Sequence, residues 1–391
     1  MTQFDFDKPV DRRAVPALKT HRIVLGDGGE QFFAAGVADM DFEVAPPIME
    51  ALRTRLDHSV FGYEAVPGGL VPALQNWLSL RHGWDVPAEQ ILRAPNALNS
   101  LAMAVSLFTG PGDGIIVQPP VFFDFYDIIR ENHRTLVRNP LILDGGRYEL
   151  DFDGFEALAA QPASKILLLC NPHNPVGRVW TRAELTRLGD ICLRHGILVV
   201  SDDLHADIVY PGHTYQPFAA ISPAFAKDSV TVLSPAKSFN IASCCSAFTV
   251  VPDADRRAAF QAENSRLTVN KNNAFANVAM EAAYREGKPW LEAVIRYIQG
   301  NLKLLRDRLT EMPLVNLIEP EATFLAWIDF RGLGLDPDHL HAVLRQDARW
   351  AATRGVSFGP EGAGFMRLNI ACRRALLAQA LDNLEDAVQH S

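Results

Sequence analysis

No apolar run in these 391 residues approaches the about 20 that a membrane-spanning helix needs. The opening stretch MTQFDFDKPVDRR carries charges where a secretory leader would carry an apolar segment, so a soluble chain in the cytoplasm is expected. Cysteine is scarce. The five residues Cys170, Cys192, Cys244, Cys245 and Cys372 are odd in number, and their spacing fits neither a zinc site nor a disulfide ladder. Reduced, mostly buried thiols are expected, and no metal site. Positive charge is also short: 37 Lys and Arg face 46 Asp and Glu, a net charge of −9. That balance argues against a nucleic-acid partner. It leaves an anionic small molecule open, because a few local Arg or Lys residues can outvote the global field. No G-x-G-x-x-G follows an apolar run, which removes a simple dinucleotide-binding dehydrogenase. Internal repeats and low-complexity tracts are lacking too.

What the chain does have is apolar material. Hydrophobic residues make up 48% and charged residues an ordinary 21%, enough for a substantial core. Its length points to two domains, or to one large and one small. The runs GIIVQPP (114–120), SKILLLC (164–170), GILVVSDD (196–203) and SVTVLSPAK (229–237) read as buried strands. Each is too short for a typical helix and rich in Val, Ile and Leu. Between them TRAELTRLGDICLRHG reads as a helix, with Thr181 as N-cap, Glu184 three residues on and Gly196 as the stop. Strand–helix–strand alternation predicts an α/β fold, a mainly parallel sheet covered by helices. From about residue 273 the pattern turns long-helical. The strand-like runs ATFLAWIDF and GFMRLNIAC then predict a smaller α+β domain. The expected organisation is an N-terminal arm (1–45) joining the small domain, a large domain (46–285) and a small C-terminal domain (286–391).

In open α/β sheets, ligands gather at the carboxyl ends of the strands. QPPVFFDFY, NPHNPVG, SDDLHAD and SPAKSFN all follow predicted strands, so their polar groups should converge on one crevice. Lys237 ends a buried apolar strand, where partial desolvation lowers an amine's pKa and suits Schiff-base chemistry. Snorkelling to the surface is the structural alternative. Asp202 and Asp203 end another strand. One of them could cap the following helix. The functional reading is a carboxylate facing a pyridine nitrogen, which would keep the ring protonated and make it an electron sink. NPHNPVG (171–177) is by itself an ordinary turn, yet a side-chain amide held there could hydrogen-bond a phenolic oxygen.

The order NPxNPxG, then SDDLH, then S-x-x-K resembles the class I/II aminotransferase superfamily over nearly the whole chain. Within it, VADMDF (37–42), FGY (61–63), SDDLHADIVY (201–210), AKSFN (236–240) and GFMRLNIAC (364–372) resemble the cystathionine β-lyase/C–S lyase subgroup, the MalY/PatB-like enzymes. The resemblance implies the fold type I of enzymes that use pyridoxal 5′-phosphate (PLP), in which a large domain with a mainly parallel seven-stranded sheet adjoins a smaller α+β domain. It implies that Lys237 holds PLP as a Schiff base and shuttles the Cα proton. Asp202 would pair with the pyridine nitrogen, and Asn174 and His205 would lie near the ring's 3′-oxygen. Phe122 would stack on the ring face. Ser234 and the backbone amides of Ala97 and Leu98 would bind the phosphate. Tyr63 would reach that phosphate from a neighbouring subunit, so a homodimer with shared active sites is implied. Arg367 would grip the α-carboxylate of an amino-acid substrate, with Ala38 beside that substrate. Each has a structural alternative: plain core for Phe122, interface packing for Tyr63, a satisfied structural histidine for His205 and a surface ion pair for Arg367.

Several positions depart from the family pattern. Phe122 offers only an apolar face where a hydroxyl-bearing ring or an indole is usual. Asn96 stands where Gly usually precedes the phosphate helix; Asn tolerates positive φ, so the turn is expected to survive. After the lysine, SFNIASCCSAF brings no phosphate-binding Arg near Ser246, and Lys271 is a candidate replacement. Arg354 replaces a Pro before GVSFG. Phe122, Phe123, Asn99, Arg354 and the loop 37–42 are the expected determinants of specificity. The implied reaction is α,β-elimination from cystathionine or a related cysteine S-conjugate, giving pyruvate, ammonia and a thiol. Transamination, or another reaction at the β- or γ-carbon, shares the early steps and stays open. Lys237, Asp202, Asn174 and Arg367 together disfavour a non-catalytic regulator on the same fold.

Overall fold

The structure, a computed structural model, describes residues 4–26, 31–271 and 273–389. In chain order its strands are β1 (Phe33–Ala34), β2 (Ile91–Ala94), β3 (Gly114–Val117), β4 (Thr135–Arg138), β5 (Ile142–Asp144), β6 (Arg147–Glu149), β7 (Ser164–Cys170) and β8 (Leu198–Asp202). They continue with β9 (Ser229–Leu233), β10 (Ala247–Val250), β11 (Asn316–Ile318), β12 (Leu325–Asp329), β13 (Trp350–Ala351), β14 (Thr353–Arg354) and β15 (Phe365–Asn369). One seven-stranded sheet has the order β2-β10-β9-β8-β7-β3-β4. Within it β10 runs antiparallel to both neighbours and every other pair is parallel. This is the mainly parallel sheet that the buried runs imply.

Burial on both faces explains why those runs are almost continuously apolar. On β7, Ile166, Leu168 and Cys170 pack with Leu101, Val105 and Phe125 on one side. The alternate residues Leu167 and Leu169 pack with Phe155, Leu185 and Leu188 on the other. The helix Arg182–His195 starts on the expected capping box of Thr181 and Glu184 and stops at Gly196, whose φ of 66° is left-handed. Register then brings the strand ends level: Asp202 pairs with Cys170 on β7 and with Val232 on β9. The carboxyl ends of β7, β8 and β9 therefore open on one crevice.

A second sheet, β11-β12-β15-β14, is antiparallel throughout. β1 pairs with β13 in a separate two-stranded sheet, which ties the N-terminal arm to the segment just before β14. The proposed division at 285/286 falls at the end of the helix Ala274–Glu286, just before the long helix Lys288–Thr310. The long helix buries Leu291, Val294, Ile298, Leu302 and Leu305, a 3–4 spacing that makes one apolar face. The largest apolar cluster runs across the division, joining Trp77 and Phe239 to Trp290, Leu325 and Leu377. No helix among the described residues is long and apolar enough to cross a membrane.

Trp327 shows how this core supports the crevice. It is 1% exposed, stacks on Phe365 at 5.1 Å and meets Phe358 edge-on at 5.5 Å. In the β12–β15 register it stands opposite Arg367. Trp327→Ala is expected to lower stability by about 3–5 kcal/mol, the usual cost of removing a buried aromatic ring. Urea unfolding of the two proteins measures it.

Candidate active site

A backbone segment, residues 36–42, forms one wall. The Ala38 carbonyl accepts from Lys237 Nζ at 2.7 Å. The segment cannot drift, because two asparagine amides hold its peptides. Asn240 accepts from Met40 N–H at 2.9 Å and donates to the carbonyls of Met40 and Phe42. Asn369 donates to the carbonyls of Val37 and Asp39 at 2.7 and 2.6 Å. Arg12 and Lys19 fasten the same segment from outside, through Asp39 at 2.6 Å and Asp41 at 2.9 Å. Ala38 thus contributes its carbonyl, and the asparagines of AKSFN and RLNIAC turn out to be the clamps behind those motifs.

Lys237 follows β9 by way of Ser234, Pro235 and Ala236. Burial and the nearby Arg367 charge push its pKa below the usual lysine range, against the pull of Asp39 and Asp202. Asp202, at the tip of β8, is raised to about 6 by burial, while the Leu204 N–H and Lys237 favour its ionised form. The adjacent Asp203 faces elsewhere: it accepts from the Ser201 and Tyr215 hydroxyls, and burial raises it to about 7. The resemblance singles out Asp202 for the ring nitrogen; in the structure Asp202 opens on the crevice and Asp203 is tied into the scaffold. His205 is 6% exposed, and its Nδ1 has no partner among the described residues. Burial, with Lys237 and Arg367 nearby, lowers it to about 3, so the imidazole is neutral.

Asp207, also from SDDLHAD, anchors the floor. It accepts from Trp77 Nε1 and from Ser238 Oγ, the residue after Lys237, and meets His82 and Arg81. Burial opposes its ionisation, but the His82 bond and the His82 and Arg81 charges prevail and bring it to about 2.

Arg367 is 2% exposed on β15. Its guanidinium donates to Asn174 Oδ1 at 3.0 Å, to the Gly36 carbonyl at 2.7 Å and to Thr353 Oγ1 at 3.3 Å, and lies 4.8 Å from the Phe358 ring centroid. Its Nε has no partner, and no carboxylate pairs with it among the described residues. Burial lowers it to about 9, with Asp124 pulling the other way. A buried cation held only by neutral acceptors is costly without an anionic partner. The surface ion-pair alternative for Arg367 is thereby removed.

The remaining expected residues divide. The helix Ala97–Phe108 starts as expected, but Asn96 has φ −160°, extended and not left-handed, and its side chain caps the Asn99 N–H at 2.8 Å. The expectation of a positive-φ turn is corrected: an N-cap does what a Gly turn would. The amides of Ala97 and Leu98 donate to no group among the described residues. Ser234 Oγ donates to the Ser246 carbonyl at 2.8 Å. Phe122 packs on Phe123 and Phe125, ring centroids 5.0 and 6.1 Å away. Tyr63 is fully exposed and touches nothing in its own crevice. Lys271 is exposed on the connection before the helix Ala274–Glu286. Arg354 leaves the substrate side: strand alternation turns Thr353 toward Arg367 and sends Arg354 to an ion pair with Asp338. Sequence reasoning missed Gly36, Thr353 and Asp124; backbone carbonyls and alternation at a short strand leave no motif.

The orphaned Nδ1 of His205, the orphaned Nε of Arg367 and the free amides opening the Ala97 helix all suit an anionic, phosphate-bearing pyridine attached at Lys237. The comparisons agree with that fit. The family aminotransferase class I and II matches residues 36–384. Cystathionine beta-lyase PatB of Bacillus subtilis is 40% identical over 98% of this chain and 100% of its own. The crystal structure of cystalysin from Treponema denticola, which contains a PLP cofactor, superposes with a TM-score of 0.95 at 30% identity over 99% of each chain. The PLP-bound C–S lyase of Staphylococcus hominis gives 0.91 at 28% identity, covering 98% of this chain and 99% of that one.

Asp202 and Asp203, raised to about 6 and about 7, set a pH dependence. A group whose pKa rises on folding adds stability below its unfolded value, about 4 for Asp, and loses it as pH climbs through the folded value. Asp202 and Asp203 therefore weaken the cofactor-free protein between about pH 4 and 7. Asp207, depressed, acts oppositely: its contribution is present above about pH 4 and lost as pH falls toward 2. Urea midpoints of the cofactor-free protein should decline across the first window, less steeply in Asp202→Asn. An equally steep decline in that variant would refute the assignment.

Proposed function

Because the chain belongs to the aminotransferase class I and II family, we propose that it is a PLP-dependent C–S β-lyase acting on cystathionine or a related cysteine S-conjugate. The observation that carries this reading is a desolvated Lys237 after β9 near a buried Arg367 on β15 that makes no ion pair among the described residues. Bound there, PLP supplies an electron sink for charge left on the substrate Cα. Lys237 would hold it, Asp202 would keep the proton on the ring nitrogen, and Asn174 and His205 would meet the 3′-oxygen. Phe122 would lie on the ring face, while Ser234 and the amides of Ala97 and Leu98 would take the phosphate.

Arg367 receives the substrate α-carboxylate through its two-pronged guanidinium, beside Ala38, and so presents Cα to Lys237. Lys237 Nζ, whose pKa burial and the Arg367 charge lower, would take up the Cα proton. The electron pair of that bond becomes the Cα=Cβ double bond, the Cβ–S bond breaks, and sulfur leaves as a thiolate. The aminoacrylate set free takes up water and yields pyruvate and ammonia. We further propose a homodimer in which Tyr63 reaches the neighbour's phosphate site. Its support is the full exposure of Tyr63, with Val60 and Phe61 exposed beside it. The five free thiols support a cytoplasmic location.

Product analysis with cystathionine and cysteine S-conjugates tests the reaction. Pyruvate, ammonia and free thiol are expected without an added 2-oxo acid; turnover only with a 2-oxo acid would replace the lyase by an aminotransferase. Lys237→Ala is expected to lose about 10²–10⁴ of the rate, the usual share of a positioned base. Tyr63→Phe should weaken PLP binding by about tenfold, one charge-assisted hydrogen bond, in equilibrium dialysis.

A further inference from the structure

The lyase reading leaves one carboxylate in the crevice without a task. Asp124 opens the helix Asp124–Glu131 directly after Phe122 and Phe123, and is half-buried. Its segment is fastened to the wall that carries Arg367. Val121 N–H and the Tyr126 hydroxyl both donate to the Phe358 carbonyl, at 3.0 and 2.6 Å. The Phe123 ring lies 5.6 Å from that of Phe358, whose face supports the Arg367 guanidinium. From this position the Asp124 carboxylate interacts with the charges of Lys237, Arg367 and Asp202. Among the described residues it makes no ion pair and accepts no hydrogen bond.

In the loaded site Arg367 would meet the substrate α-carboxylate and Asp202 the ring-nitrogen proton, so neither group answers Asp124, which among the described residues stands without a partner beside Phe122 and Phe123. Burial raises its pKa, helped by Asp127, while Lys237 and Arg367 oppose the rise. A partly desolvated anion without a partner is unfavourable unless a ligand brings the opposite charge, and the aromatic faces next to it attract cations as well. An acid at a helix start also favours the helix dipole, a role that needs neither Lys237 nor Arg367 nearby.

We propose that Asp124 selects substrates whose side chain ends in a positive charge. The proposal rests on the lyase reading for the sulfur but not for the charge. Binding to the PLP-loaded enzyme, followed by its visible absorption, compares S-(2-aminoethyl)-L-cysteine with the near-isosteric S-propyl-L-cysteine, and pyruvate release is recorded in parallel. The cationic compound should bind about tenfold or more tightly in the wild type, as one charge-assisted contact provides. The ratio should fall to about one in Asp124→Asn and below one in Asp124→Lys. A wild-type ratio near one, or one unchanged in Asp124→Asn, overturns the proposal. A strong ratio without pyruvate overturns the lyase reading while leaving the charge selection standing.

Discussion

The site depends on a stretch of backbone held in place. Residues 36–42 have no regular structure, yet their carbonyls receive Lys237, Arg367, Asn240 and Asn369. Unpaired peptide groups at a buried place are costly. Here they are satisfied by side chains from β15 and from the turn after β9, so the same bonds that pay for burying the segment also fix the two cations of the crevice. Lys237 and Arg367 stay apart, each with a carbonyl of its own, instead of collapsing onto Asp202 or Asp124.

That arrangement explains the electrostatics. Two buried cations face two acids with little direct pairing, so each pKa is set chiefly by burial: Lys237 and Arg367 fall, Asp202 rises. The network around Asp207 is of the opposite kind, closed and fully paired, and stays ionised. One carboxylate of SDDLHAD, Asp207, therefore serves the scaffold, while another, Asp202, opens on the crevice.

Much of this was legible in the sequence. Strands β7, β8 and β9 were visible as apolar runs because burial on both faces demands them. The crevice was visible because polar motifs followed each run, and Lys237, Asp202, Asn174, His205 and Arg367 do meet there. What escaped had a physical reason. Gly36 acts through a carbonyl, which any residue owns. Thr353 and Arg354 exchange roles by the alternation of a two-residue strand. Asn96 keeps its turn by capping, where left-handed tolerance was the expectation. Asp124 looked like an ordinary helix-opening acid, and only its lack of a partner among the described residues, near the Lys237 and Arg367 charges, sets it apart.

The clamp on residues 36–42 also has a history in time. Gly36 and Arg367 are 331 positions apart, and β1 waits for β13 to pair. At about 5–20 residues per second of synthesis, the Gly36 carbonyl waits tens of seconds for the Arg367 guanidinium. The large sheet can form earlier, from strands that end at Val250. This wall of the crevice is thus closed only after β15 has been made, by two segments 331 positions apart meeting.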